Sequence, residues 1–131
     1  MISTRGRYAL RVMLDIAANQ KDGYVPMKDV ALRQGLSLKY LEQILPPLTK
    51  NGLLVGIQGK GGGYRLTREP GEYRIGEILR LTEKDLAPVE CLKEGAEECT
   101  RKDKCKTIVF WEGLNSVVND YVNSKTLEDL L

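Results

Sequence analysis

Five stretches of the chain carry apolar residues at three- and four-residue spacing, and two short runs between them read as strands. Ala9, Val12, Met13, Ile16 and Ala17 mark one buried face of a helix from near Thr4 to about Asn19. Asp22-Gly23 signals a turn over Lys21–Tyr24. Pro26 suits the first turn of a short helix from Met27 to about Gln34, with Val30 and Ala31 inward and Gly35 as its stop. Ser37 caps a third helix whose core side takes Leu38, Leu41, Ile44, Leu45 and Leu48. Pro46 and Pro47 lack N–H groups, so a kink is expected there, with 37–45 projecting and Asn51-Gly52 ending the element.

Leu53–Ile57 and Tyr64–Thr67 then form an antiparallel pair around Gln58-Gly59-Lys60-Gly61-Gly62-Gly63. Glu69–Glu72 is a turn. Ile75–Leu81 is a short amphipathic helix with Ile75, Ile78, Leu79 and Thr82 on the core. The last long helix, Thr107 to about Asn123, carries Ile108, Trp111, Leu114 or Asn115, Val118, Tyr121 and Val122 at near-heptad spacing. A second copy of the chain is the expected cover for that stripe, and folding back on the first helix is the alternative. Thr126–Leu131 resembles a capped helix start.

Two helices joined by a glycine turn, the second opening at a serine, have the form of a helix-turn-helix. The outward face of the second presents Lys39, Tyr40, Glu42 and Gln43 in its first two turns, where a recognition helix reads bases. Glutamate accepts from cytosine N4 and glutamine pairs with adenine. The glycine-rich tip raises the question of a phosphate cradle, but such a loop must open a helix. Here a strand follows. A flexible tip carrying Lys60 suits contact with a DNA backbone or minor groove instead.

Charge sharpens this picture. The net charge of the 131-residue chain is only +2, but residues 1–70 hold 11 Lys and Arg against 5 Asp and Glu, and residues 71–131 hold 9 against 13. A basic front half suits a polyanion. Arg5, Arg7 and Arg11 sit early in the first helix, against its macrodipole, which a nearby phosphate would relieve. No run approaches the length needed to cross a bilayer, and the first twenty residues lack a signal peptide's apolar block, so a cytoplasmic protein is expected. There is no histidine, which removes the commonest general base and every histidine-containing metal site or triad. An enzyme is not expected. All three cysteines fall in the charged segment Glu90–Lys106, at Cys91, Cys99 and Cys105. Their spacing matches no zinc ribbon or ferredoxin run, yet three thiols in one exposed loop exceed a structural need.

The motifs STRGRYAL, GLSLKYLEQIL followed by NGLL, IQGKGGGYRL, IGEILRLTE and the closing SKTLEDL occur in this order along essentially the whole chain. The sequence thereby resembles the IscR-type branch of a large bacterial winged-helix repressor family. The resemblance implies a mostly α fold with a small β-hairpin. Residues 1–83 would form a winged helix-turn-helix domain, 84–106 an effector loop, and 107–131 a dimerisation helix and C-terminal turn. It implies a cytoplasmic homodimeric regulator that binds a double-stranded DNA operator, with no membrane and no small-molecule substrate. Ser37, Lys39, Tyr40, Glu42, Gln43, Gln58, Lys60 and Gly61 are the implied DNA contacts, and Ile108, Trp111, Val118 and Tyr121 the implied dimer contacts. It also implies a 2Fe–2S cluster on Cys91, Cys99 and Cys105.

The chain departs from that pattern. Ile108 stands where a ligating histidine is usual, and Arg7 where a related branch carries an acid. The first cysteine interval is two residues longer. The fourth ligand is left open among Glu98, Asp103, a hydroxyl, solvent or another thiol. Gln58 and Lys60 replace the Arg and Pro common in the wing. A second branch of the same family, without a cluster and answering to thiol oxidation or a partner in cysteine metabolism, is the alternative reading.

Overall fold

A computed structural model describes residues 2–21 and 23–131; the Asp22 part of the expected turn lies outside them. Helices α1 (Thr4–Asn19), α2 (Met27–Gln34) and α3 (Leu38–Lys50) precede a hairpin of β1 (Leu54–Ile57) and β2 (Gly63–Leu66), then α4 (Ile75–Glu83) and α5 (Ile108–Ser124). Short 3-10 turns lie at Pro70–Glu72, Glu90–Leu92, Lys102–Lys104 and Glu128–Leu130. This is a winged helix-turn-helix with a long C-terminal helix.

Local chemistry sets the boundaries. The Ser3 hydroxyl accepts from the Gly6 N–H at the start of α1, and the Ser37 hydroxyl accepts from the Tyr40 N–H at 3.0 Å at the start of α3. Gly35 ends α2 in the left-handed conformation (φ 66°) that a side chain resists. The core joins Val12, Met13 and Ile16 of α1 to Leu41, Ile44 and Leu48 of α3 and Ile78 of α4, all essentially without solvent exposure. Each such side chain contributes about 1.5–3 kcal/mol of transfer free energy.

Tyr73 is also fully buried, and its hydroxyl is the polar hub of the wing's base. It donates to the Leu53 carbonyl at 2.7 Å and accepts from the N–H groups of Thr67 (2.9 Å) and Arg68 (3.1 Å). The hairpin is in register Leu54↔Leu66 through Ile57↔Gly63. A third segment joins it: Val25 exchanges both backbone hydrogen bonds with Tyr64, at 2.8 and 2.9 Å. Gly63 permits that approach, since a Cβ there would run into the Val25 carbonyl.

Three expectations change. Helix α3 runs through Pro46 and Pro47 to Lys50 without interruption. The bonds those prolines cannot donate would go to the carbonyls of Glu42 and Gln43, both on the exposed face, while Leu45 and Leu48 hold the opposite face in the core. Leu38 is not a core residue but 50% exposed. It sits about 70° of helical arc from the centre of the buried stripe, at the helix's first position. Finally, α5 packs on α4 instead of folding back on α1. Past α5 the chain returns to the body: the Ile75 N–H donates to the Lys125 carbonyl, the Leu127 N–H to the Tyr73 carbonyl, and the Leu127 side chain is fully buried.

Candidate nucleic-acid interface and cysteine loop

Helix α3 is presented by contacts that α1 makes with both partner helices. Asp15 is 5% exposed and accepts from Arg33 Nε and Nη2, the closest contact 2.8 Å, and from Gln34 Nε2 at 2.8 Å. The hydrogen bonds from Arg33, half-exposed at its outer end, raise the guanidinium pKa further. Arg11 donates to the Gln34 side-chain oxygen at 3.1 Å and to the Gln34 carbonyl, and lies over the Tyr8 ring. Arg5, Arg7 and Arg11 are all exposed, but Arg11 is committed to contacts within the chain. The Tyr8 ring meets Tyr40 edge-on at 5.5 Å.

Against that frame Lys39, Glu42 and Gln43 project from α3 as exposed side chains. Tyr40 is half-buried against Tyr8, and the Ser37 hydroxyl serves the cap, so these two hold the helix's start. At the wing, Gln58, Lys60 and Gly61 lie exposed in the tip between the strands. Arg65 stacks over Tyr24 at 5.0 Å, and with Lys21 it lines a cleft of about 570 Å³ at the wing's base. The exposed face of α3 and the wing thus both lie in the basic front half of the chain.

The cysteine loop lies beyond α4. Asp85 fastens its first part, accepting from the N–H groups of Glu94 (2.9 Å) and Ala87 (2.7 Å), and those bonds, the Glu94 one first, hold its carboxyl below the usual range. Cys91, Cys99 and Cys105 line one cavity of about 420 Å³ with Glu98, Ile108 and Glu112. Cys91 and Cys99 are exposed and Cys105 half-buried, and all three are free thiols. The Thr107 hydroxyl, 3.4 Å from the Cys105 sulfur, lowers that thiol's pKa. Among the described residues no three His, Cys, Asp or Glu side chains stand close enough to hold a metal ion. As a donor set the thiols suit iron and sulfide, since soft ligands around one cavity are what such clusters take. The loop must tighten for them to act together.

Helix α5 follows at once and divides its apolar residues between two faces. Val118 and Val122 pack against the chain's own core, and Arg80 of α4 donates to the side-chain oxygens of Asn119 (2.6 Å) and Asn123 (2.8 Å). Gly76 lets α5 lie this close, as a Cβ would strike Asn123 and Val122. Ile108 and Trp111 are half-buried on the flank. A second face, about 100° round the helix, exposes Phe110 (65%), Val117 (65%) and Tyr121 (64%), at i, i+7 and i+11. Of the stripe expected from sequence, Tyr121 belongs to this face and Val118 does not; Phe110 and Val117 were missed, although their spacing was available.

The family model described as Rrf2, an iron-dependent transcriptional regulator, matches residues 2–131. The chain belongs to the Rrf2 family. The transcriptional regulator IscR of Pectobacterium atrosepticum is 37% identical over 130 residues, covering 99% of this chain and 78% of the relative. Among solved structures, CymR, the global cysteine regulator of B. subtilis, superposes with a TM-score of 0.81 at 37% identity, covering 99% of this chain and 95% of that one. IscR of T. potens gives 0.77 at 33% identity, covering 99% and 85%. Rrf2 proteins are DNA-binding regulators of transcription rather than enzymes, and DNA is accordingly this chain's partner. No helix of the described residues is long and apolar enough to cross a membrane.

Proposed function

We propose that this Rrf2 protein is a cytoplasmic, dimeric transcriptional regulator that reads iron–sulfur status through a 2Fe–2S cluster held by Cys91, Cys99 and Cys105. The observation that carries the reading is the convergence of the three thiols on one cavity at the head of α5. When bound, the cluster supplies a labile crosslink of the loop, sensitive to oxidants and to iron supply.

The chain's own residues would relay the loop's state. Cys105 lies three residues ahead of Ile108, so tightening the loop bears on the start of α5. The Arg80 bonds and the Gly76 contact pass a shift of α5 to α4. Glu83 of α4 accepts from the Ser3 N–H (2.8 Å) and hydroxyl (2.7 Å), which ties α4 to the start of α1. Through Asp15, Arg11 and Tyr8, α1 in turn sets α2 and α3. In this reading Lys39, Glu42 and Gln43 contact the major groove, with Ser37 and Tyr40 fixing the helix's start beside the phosphates. Gln58, Lys60 and Gly61 follow the backbone or the minor groove. A second copy covers Phe110, Val117 and Tyr121, with Ile108, Trp111 and Val118 at its edge. Residues 1–83, 84–106 and 107–131 act as reader, sensor loop and coupling element.

The likeness to CymR and the absence of histidine support a second reading, in which the same regulator has no cluster and answers to thiol oxidation or a protein partner. Iron and sulfide analysis of anaerobically purified protein separates the two. The cluster reading expects visible absorption that Cys91→Ala abolishes; absorption unchanged in that variant would refute the ligand assignment.

A further inference from the structure

Three thiols leave one position of a 2Fe–2S cluster to be filled, and this chain has no histidine to fill it. Of the side chains that line the cavity with the thiols, the carboxylates are the natural candidates. Glu112 lies on α5 one turn beyond Ile108, and both line the same cavity as the three cysteines. Two other carboxylates line it, Glu97 and Glu98, both on the loop. Glu98 faces Lys102 at 3.5 Å, and Asp103 is not among the lining residues. Neither Glu112 nor Glu97 makes an ion pair or side-chain hydrogen bond among the described residues, so what separates these two is their place, Glu97 on the loop and Glu112 on α5.

We propose that Glu112 is the fourth ligand, its carboxylate completing the set of Cys91, Cys99 and Cys105. The assignment rests on the cluster reading above and deepens it. Iron accepts carboxylate oxygen beside softer donors. A ligand borne on the helix joins the loop to α5 directly, whereas Glu97 or Glu98 would tie the loop only to itself. The assignment thus explains how a change at the thiols reaches the helix that packs on α4.

The test reconstitutes the full chain anaerobically with ferrous iron and sulfide, then records visible absorption, the electron paramagnetic resonance of the reduced form and lifetime in air. Glu112→Ala is expected to lose its visible absorption at least about tenfold faster than the unaltered chain, with a changed resonance spectrum. Glu112→Cys is expected to restore a long lifetime with a thiolate-shifted spectrum, which also shows that position 112 tolerates substitution. Glu98→Ala is expected to match the unaltered chain. A Glu112→Ala protein with unaltered spectrum and lifetime, or a Glu98→Ala protein that behaves as described for Glu112→Ala, overturns the assignment. An unaltered chain that takes up neither iron nor sulfide overturns the cluster reading itself, and this ligand with it.

Discussion

The Tyr73 hydroxyl holds three backbone groups at the foot of the wing from a position without solvent exposure. Tyr73→Phe leaves the Leu53 carbonyl and two N–H groups short of a partner, and is expected to cost about 1–3 kcal/mol in chemical denaturation. The Arg68–Glu77 pair beside it gives a pH signature. Hydrogen bonding from Arg68 lowers the Glu77 pKa, so the folded chain binds that proton less readily than the unfolded one. The contribution is then fully present above the ordinary carboxylate pKa of about 4.3 and is lost as pH falls through the lower folded value. Because both side chains are about a third exposed, solvent and salt weaken the effect. Arg68→Gln should flatten the acid limb of a denaturation-versus-pH curve; an unchanged limb would assign the acid sensitivity elsewhere. None of this was legible in sequence, where a tyrosine between polar neighbours reads as surface. Its partners lie up to twenty residues away.

At the scale of elements the helices were legible to within two residues, because their apolar spacing and caps agree. The misses arise where tertiary context decides. Leu38 lies at the margin of its stripe, and the prolines of α3 fall where the lost bonds face outward. The Val25 bridge to Tyr64 had no periodic signal at all, since a single residue has none. Its dependence on Gly63 is testable. Gly63→Ala should break the bridge, speeding amide exchange at Val25 and Tyr64 while leaving α1 and α3 protected. Equal protection in the variant would show that the loop before α2 adjusts without cost.

For the whole molecule the decisive surface is the outer face of α5. Three large apolar side chains more than 60% exposed on one stripe are unusual for a chain that works alone. Phe110→Glu combined with Val117→Glu is expected to yield monomers by sedimentation, with unchanged far-ultraviolet dichroism and operator affinity reduced by two or more orders of magnitude as paired half-sites are lost. A double variant that still sediments as a dimer would move the interface to another face. That the cysteines share one segment was legible in the sequence, because three thiols among charged residues need no tertiary information to be noticed. That Glu112 lines the same cavity was not, because the turn of α5 is what brings it there.

The burial of Leu127 has a mechanical consequence. Helix α5 has 17 residues and is welded to the body at its far end by Leu127 and the Ile75–Lys125 bond, while its near end begins at the cysteines. At 1.5 Å per residue it is a rod about 25 Å long pivoting at one end. By the same geometry a tilt of about 5° moves the cysteine end by about 2 Å but barely disturbs the pivot. In the proposed two-fold pair each rod turns by the same angle in opposite senses. The sensor would thus change an angle between protomers without unfolding either, and the seat of that leverage is one leucine four residues before the end of the sequence given.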